Sequence, residues 1–330
     1  MMQAPQPASV MFNNLIQSYL ICSLNNLNIL SYLNSQGFTT LEELLEKFTI
    51  SETLLSYLLK LSEYYGLISV EHDTIRLSEH GREAYKMVGF FTWAIGGYGQ
   101  LLGSLDKFCG KKQEQKSNFI KGDQVAKGSD ECYKHLMQPI LHKALKSIPF
   151  SRVADLGCGN AGKLIEFARL NPDFIGIGVD INAGAIELAS QNVKENHLED
   201  RIKLYCGNAL DTLNSHLRFP EVETVTCFMM MHDFFNVPGL SDQLFDKLKT
   251  TFPNVKYFVI GDTIASSNSE IQRAYSLPIF TLGFELVHQF MNVKLFELDY
   301  YLDVFRKAGL SIEQTIPFGV PNTYLFVLRV

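Results

Sequence analysis

Three glycines and two acids at the ends of strand-like runs mark the part of the chain best suited to chemistry. Gly157, Gly159 and Gly162 follow an apolar run, and glycine lets the backbone take positive φ angles and pass close to a ligand. A second apolar run ends in Asp180, where a carboxylate can accept hydrogen bonds from both hydroxyl groups of a ribose. The spacing predicts a site for a cofactor that contains a nucleoside.

The glycine pattern alone does not choose the cofactor. G-x-G-x-x-G is also the pattern of dinucleotide-binding turns, so a nicotinamide-dependent enzyme has to be weighed. However, the first predicted strand carries Asp155 near its end, and a carboxylate there suits an ammonium group rather than a diphosphate. A third run, which begins at Ile202, ends in small residues that could contact adenine. The alternative to a cofactor site is a glycine-rich turn without this role, in some other doubly wound domain.

Together these motifs resemble those of class I methyltransferases, whose cofactor is S-adenosyl-L-methionine (SAM). The resemblance implies that Asp155, Gly157 and Gly159 hold the methionyl part, that Asp180 binds the ribose, and that residues after the third strand flank the adenine. It also implies transfer of a methyl group to a small molecule. The predicted cofactor-binding residues are Asp155, Gly157, Gly159, Asp180, Ile181, Asn208, Ala209 and Phe228.

Two histidines form a second candidate group. The apolar run 224–228 predicts a fourth strand that continues into a loop carrying His232 and Asp233, and open α/β sheets bind ligands at such carboxyl strand ends. His288 lies in an apolar, helix-like segment. A lone histidine in such a segment is usually a core residue with a hydrogen-bonded partner.

The segments 228–234, 252–255, 261–262 and 280–288 resemble those of bacterial phenylpyruvate C-methyltransferases and related α-keto acid methyltransferases. The resemblance implies that His232 and His288 bind a divalent metal ion, iron with zinc as the other option. It further implies C-methylation of the β-carbon of an α-keto acid through a metal-stabilised enolate, an activity of secondary metabolism. Asp233 is the candidate base, and a partner that orients His232 is its alternative role. Asp262 is expected to have a structural role.

Two other functions stay open at this point. In the first, the chain is a metal-independent O-methyltransferase in which His232 is the general base and His288 lines the acceptor pocket. In the second, a ligand-sensing regulator binds DNA through its N-terminal part. The acidic composition counts against the regulator, because 29 Lys and Arg residues face 35 Asp and Glu residues, a net charge of −6, and phosphate binding requires clustered bases.

Composition predicts a globular enzyme that binds neither nucleic acid nor membrane. No apolar run approaches the eighteen or so residues of a membrane span, and no secretory signal is recognisable at the start, so a cytoplasmic location is expected. The six cysteines contain no C-x-x-C pair. This spacing is typical of neither a zinc framework nor a disulfide scaffold.

The N-terminal residues predict three or four helices followed by a short hairpin, which resembles a winged helix. The third of those helices, expected near residues 51–65, offers only Lys60 as a base and is poorly suited to phosphate. In O-methyltransferase-like enzymes this module joins two subunits. The resemblance therefore implies a homodimer.

Strands and helices are expected to alternate from Ser151 to the C terminus. The predicted fold is α/β, a Rossmann-like doubly wound methyltransferase sheet with an N-terminal winged-helix-like dimerisation domain. We expect that domain at residues 1–86, a helical linker or lid at 87–147 and the SAM-binding catalytic domain at 148–330. Within the linker, the polar composition of residues 111–117 is typical of a mobile loop.

Overall fold

A computed structural model describes residues 7–108, 116–209, 211, 217–265, 282–320 and 322–330. The chain divides into two compact units, the first ending at Gln138 and the second running from Pro139 to Val330. The boundaries expected after residues 86 and 147 stay predictions. In the described part of the chain, no helix is long and apolar enough to cross a membrane.

The first unit begins with helices and a hairpin in the predicted order. Residues 10–36 form two helices rather than one. The elements are α1 (Ala8–Asn26), α2 (Ile29–Gln36), α3 (Leu41–Lys47), α4 (Glu52–Tyr64), β1 (Ile68–Glu71), β2 (Thr74–Leu77) and α5 (Glu79–Lys86). Their apolar side chains form one core, which includes Leu24, Leu44 and Leu55.

Local signals in the sequence explain where these elements begin. Thr40 accepts a hydrogen bond from Glu43 N, and the Glu43 side chain accepts one from Thr40 N, so the predicted capping box is present. Ser51 and Ser78 cap α4 and α5 through their hydroxyl groups, which accept hydrogen bonds from Leu54 N and Gly81 N. The hairpin β1–β2 is antiparallel.

The segment after α5 consists of short helices and turns. Its described part contains three α-helices, two π-helical turns and two 3₁₀ turns. The elements are α6 (Val88–Phe91), a π turn (Thr92–Gly97), α7 (Gly99–Leu102), 3₁₀ turns (Leu105–Phe108, Lys116–Phe119), α8 (Gly122–Cys132) and a π turn (Tyr133–Met137). The expected mobile loop at residues 111–117 lies largely outside the described residues.

Two glycines explain why α6 and α8 pack closely against each other, although α8 is rich in polar residues. A Cβ atom on Gly89 would lie 2.5 Å from the carbonyl oxygen of Gly128, and one on Gly128 would lie 2.7 Å from that of Gly89. α6 and α8 can therefore approach to backbone contact. The polar residues 122–130 therefore belong to a helix, α8.

The second unit contains a seven-stranded sheet in the order β5-β4-β3-β6-β7-β9-β8. The strands are β3 (Arg152–Leu156), β4 (Ile175–Asp180), β5 (Ile202–Cys206), β6 (Thr224–Phe228), β7 (Tyr257–Thr263), β8 (Ser311–Pro317) and β9 (Thr323–Arg329). The first five in that order are parallel, whereas β9 is antiparallel to β7 and to β8. Chain order reverses between β3 and β6, and such a switch point is where open sheets bind ligands.

Helices connect most of these strands. They are α9 (Gln138–Leu145), α10 (Gly162–Leu170), α11 (Ala183–Glu195), α12 (Met231–Phe235), α13 (Leu244–Thr251), α14 (Leu282–Met291) and α15 (Leu298–Lys307). The expected alternation of strands and helices fails at the C terminus, where β8 and β9 follow each other directly. All five residues of β6 are buried, as expected for a central strand covered on both faces.

Candidate active site

The loop after β3 has the strained backbone that its glycines allow. Gly157 and Gly159 have φ angles of 75° and 55°, and Ala161 has 61°. The N–H groups of Gly157 and Cys158 both donate to Val179 O, at 2.8 and 3.1 Å. A Cβ atom added to Gly159 would meet nothing within 4 Å. The loop therefore leaves open space directly at the carboxyl end of the sheet.

Asp180 fixes the shape of this loop. Its Oδ2 accepts a hydrogen bond from Gly159 N at 2.9 Å, and its Oδ1 accepts one from Asn182 N at 2.9 Å. Gly207 N donates to the carbonyl oxygen of Asp180 at 2.9 Å. The Asp180 carboxylate thus holds the glycine loop, and the Asp180 carbonyl oxygen holds the turn after β5.

Asp155 is buried beneath the loop, and only one of its two carboxylate oxygens accepts a hydrogen bond from a described residue. Its Oδ1 accepts a hydrogen bond from the Thr226 hydroxyl at 2.6 Å, whereas its Oδ2 has no partner among the described residues. Burial raises the pKa of the Asp155 carboxyl, while the charge of Lys163 and the hydrogen bond from Thr226 oppose the change. A buried acceptor without a donor is costly, and a cationic ligand group would supply one.

The remaining cofactor candidates lie at the same edge of the sheet. Asn208 and Ala209 follow β5, and the Ala209 side chain is buried. Ile181 follows Asp180 directly and is 70% exposed. Phe228 closes β6 and is buried.

His232 follows β6 on the short helix α12, not in the loop that the sequence suggested. Its backbone N–H donates to Asp262 Oδ2 at 2.8 Å, and its ring Nδ1 donates to Asp262 Oδ1 at 2.7 Å. Burial alone lowers the pKa of His232, but the charge and hydrogen bond of Asp262, with the charge of Asp233, outweigh it and raise the pKa. With Nδ1 bound to Asp262, the Nε2 atom of His232 is the ring nitrogen that can bind a ligand or accept a proton.

Asp262 is a fully buried acceptor with four donors. Besides the two hydrogen bonds from His232, it accepts one from Thr263 N at 2.9 Å and one from the Tyr301 hydroxyl at 2.8 Å. Burial, reinforced by the charge of Asp262, raises the pKa of Tyr301 well above its ordinary value, so the phenol stays a donor. Tyr301, Asp262 and His232 form one chain of contacts that fixes the imidazole.

His288 lies on α14 with its ring against that of His232. The ring centroids are 5.2 Å apart and the planes make an angle of 78°. His288 Nδ1 donates to Phe284 O at 2.8 Å, and the Phe284 ring lies 4.0 Å from the imidazole. Burial lowers the pKa of His288 to about 4, although the bond to Phe284 opposes the change. The ring is therefore neutral near pH 7.

Asp233 does not lie at the Nδ1 atom of His232, where a residue that orients the ring would be expected. Its Oδ1 lies 3.9 Å from His232 Nε2, and 54% of its side chain is exposed. The residue that orients His232 is Asp262, through Nδ1. The structure thus brings both histidines together with Asp233 nearby, and the described residues include no cluster of three or more His, Cys, Asp or Glu arranged to hold a metal ion.

Sequence reasoning missed Tyr301 and Lys163. Tyr301 belongs to the buried face of α15, where only its spacing from Val304 and Phe305 indicated burial, and nothing local showed that its hydroxyl meets Asp262. Lys163 directly follows the last glycine of the pattern, which was a usable signal, and its Nζ lies 5.0 Å from the centroid of the Phe228 ring.

Comparison with known proteins agrees with this geometry. A family model described as a methyltransferase domain matches residues 150–273, which include the glycine loop, Asp180 and His232. Two curated proteins that are 27% identical to this chain are also methyltransferases. One, from Aspergillus campestris, aligns over 74% of this chain and 73% of its own length. The chain is a SAM-dependent methyltransferase.

One further relative of this methyltransferase and one solved structure of similar fold are informative. The indolepyruvate C-methyltransferase of Streptomyces griseus is 27% identical over 78% of this chain and 74% of its own length. The structure of human N-acetylserotonin methyltransferase in complex with SAM is similar over 100% of this chain and 99% of that one, with a TM-score of 0.66 and 15% identity. Solved O-methyltransferases share the fold, so the methyltransferase has an O-methyltransferase-like architecture.

Proposed function

We propose that the methyltransferase transfers its methyl group to the β-carbon of a small α-keto acid, with a divalent metal ion held by His232 and His288. The observation that carries the proposal is the buried pair of imidazoles at the carboxyl end of β6, with ring centroids 5.2 Å apart. The relationship to an indolepyruvate C-methyltransferase supports the substrate class, because indolepyruvate is an α-keto acid.

The two histidines fit an ion. A carboxylate and a backbone carbonyl only accept hydrogen bonds, so Asp262 and Phe284 keep the ring protons on Nδ1 and leave the Nε2 lone pairs available. Metal-binding histidines usually have such partners. Two imidazoles that share one ion through bonds of about 2.1 Å have ring centroids roughly 5 Å apart, in agreement with the observed separation.

The ion would supply Lewis-acid stabilisation of negative charge on the keto oxygen. Two protein ligands leave coordination positions for the carboxylate and keto oxygens of the acceptor. Imidazole suits iron, zinc, copper or nickel; we propose iron, with zinc as the alternative. For the base that removes the β-proton we propose Asp233, whose Oδ1 lies 3.9 Å from His232 Nε2 and whose pKa is raised, chiefly by partial burial.

We propose the following roles at the cofactor. The free Oδ2 of Asp155 accepts a hydrogen bond from the methionyl ammonium, while the glycine loop leaves room for the methionyl chain. Asp180 binds the ribose hydroxyls at the end of β4. Ile181, Asn208 and Ala209 surround the adenine, and Phe228 borders the methionyl part. These contacts would aim the sulfonium methyl at the acceptor, and such positioning supplies much of the rate in group transfer.

A second function has one specific observation in its favour. The pairing of His232 with Asp262 raises the pKa of the imidazole and resembles the arrangement of a general base with its orienting acid. An O-methyltransferase would use that base to deprotonate a hydroxyl group and would need no metal. In this case His288 would only line the acceptor pocket.

Elemental analysis of protein purified without a metal-binding tag distinguishes the two functions. For the C-methyltransferase we expect near-stoichiometric iron or zinc in the wild type, its loss in His288→Ala, and its retention in a control, His197→Asn, which changes an exposed histidine of the same unit. Methylation of phenylpyruvate and indolepyruvate should be lost with the metal. Active wild-type protein without metal, or a His288→Ala variant that keeps metal and rate, would refute the metal site.

We also propose that the methyltransferase is a homodimer. The first three turns of α1 expose an apolar stripe made of Met11, Phe12, Leu15, Ile16 and Tyr19, whose side chains are 38–62% exposed. Contiguous apolar surface of this kind is typical of an interface, and helix α1 of a second copy would cover it.

A further inference from the structure

A lysine lies where the amino-acid end of the cofactor must bind. Lys163 is the second residue of α10, directly after the glycine loop, and is half-buried. Its Nζ lies 5.0 Å from the centroid of the Phe228 ring, at the end of β6. A cation over an aromatic face is held electrostatically by the ring. The ammonium group therefore lies over the carboxyl ends of the sheet, beside the loop that Gly157 begins.

The charges around this lysine are unequal. Asp155 is completely buried and offers one carboxylate oxygen without a donor, and Asp180 closes the loop from the other side through Gly159 N. Lys163 is the base whose charge opposes the burial-raised pKa of Asp155 and of Cys158. Among the residues that the structure describes, Asp155, Asp180 and Lys163 thus place two acids and one base at this loop.

The amino-acid end of SAM carries an ammonium and a carboxylate on the same carbon. If the ammonium meets Asp155, the carboxylate carbon lies only two bonds from the nitrogen, next to an acidic side chain in a partly buried site. An unpaired buried carboxylate is strongly disfavoured. The first N–H groups of α10 provide partial positive charge, but a full cation is needed to balance the second charge of the ligand.

We propose that Lys163 binds the carboxylate of the methionyl part of SAM, so that Asp155 and Lys163 together recognise the amino-acid zwitterion. The lysine side chain is then a specificity residue for the cofactor. Adenosyl compounds without the carboxylate gain nothing from it. The proposal concerns cofactor binding alone and does not depend on whether carbon or oxygen receives the methyl group.

The test compares SAM with decarboxylated SAM, which keeps the sulfonium and the amine and lacks only the carboxylate. Dissociation constants are measured by calorimetry for the wild type, Lys163→Gln and a control, Lys194→Gln, which changes an exposed lysine of α11. In Lys163→Gln we expect SAM to bind about tenfold or more weakly and decarboxylated SAM to bind equally or more tightly. The control should bind both as the wild type does.

Two results would overturn the proposal. If both compounds lose the same factor in Lys163→Gln, the lysine supports the pocket as a whole rather than the carboxylate. If SAM binding is unchanged, the carboxylate is held elsewhere. Retained binding of decarboxylated SAM reports that the variant is folded and that its pocket is intact, so a loss restricted to SAM cannot come from misfolding.

Discussion

The open space beside Gly159 allows an alanine substitution to test cofactor binding with little loss of folding stability. A methyl group at this position meets no protein atom within 4 Å, so Gly159→Ala should lose only the backbone preference for positive φ, about 1 kcal/mol of the free energy of unfolding. The methyl group would nevertheless occupy space that we assign to the cofactor. SAM binding should therefore weaken at least about tenfold, measured by calorimetry.

Gly309→Ala is the matched control for that variant. Gly309 has a φ angle of 72° and the same open surroundings, but it follows α15, far along the chain from the loop. Both variants should lose similar stability in denaturant titrations. Equal SAM affinity in the two would show that the cofactor does not approach Gly159.

Tyr301 positions His232 through Asp262. Tyr301→Phe removes one of four donors to Asp262 and loosens the carboxylate that holds the imidazole Nδ1. If His232 is a metal ligand, affinity for zinc should fall about tenfold, as measured by competition with a chromophoric chelator. Stability should fall by about 1.5–3 kcal/mol.

The neighbouring Tyr300 provides the control for this variant. Its ring stacks on Phe296 at 4.4 Å, and Tyr300→Phe preserves that ring. Zinc affinity should stay at the wild-type value. An unchanged affinity in Tyr301→Phe as well would mean that the Asp262 carboxylate is held firmly by its other donors.

The acids of the glycine loop could be found from the sequence, whereas the partners of His232 could not. Asp155 and Asp180 were placed correctly at the ends of β3 and β4, because an apolar run followed by glycine or by an acid is a local signal. The pairing of His232 with Asp262 depends on β6 and β7 being neighbours, which no local pattern records. Tyr301 lies a further 39 positions along the chain and reaches Asp262 only through the packing of α15.

At the scale of elements, the crossing of α6 and α8 depends on two residues without side chains. Gly128→Ala would place a Cβ atom 2.7 Å from Gly89 O and from the backbone nitrogen of Trp93. Because backbone atoms cannot rotate away, the helices must separate. We expect a loss of about 2 kcal/mol or more in the stability of the first unit, measured by chemical denaturation.

Gly122→Ala, at the start of the same helix, is the matched control. An added Cβ atom there meets nothing within 4 Å, and alanine has the higher helix propensity, so stability should be unchanged or rise by up to about 1 kcal/mol. Similar losses in both variants would indicate that α8 is not held by the glycine contact.

The same crossing explains why composition alone is a weak guide to the elements of the middle segment. Glycines and polar side chains usually indicate loops, and α8 contains Gly122, Gly128 and several charged residues. Here the glycines permit backbone contact, so tertiary packing outweighs local propensity. The apolar strands β3, β4 and β6 could be predicted for the opposite reason: they are buried in the sheet, and their sequence pattern agrees with that burial.

At the scale of the whole molecule, the apolar stripe on α1 remains to be covered. Burying five large side chains that are now 38–62% exposed would favour association, because apolar surface removed from water contributes about 25 cal/mol per Å². We expect the wild type to sediment at twice the mass of one chain. The double variant Phe12→Glu, Leu15→Glu should sediment as a monomer, since each charge would have to be buried in the interface.

The variant Asn13→Glu tests whether charge alone causes that change. Asn13 is exposed and lies between the two substituted positions but outside the apolar stripe, so this variant should stay dimeric in sedimentation equilibrium. A wild-type chain that is monomeric at micromolar concentration would leave the stripe for a different partner. A double variant that remains dimeric would place the interface on another surface, and in either case α1 would not be the element that joins two copies.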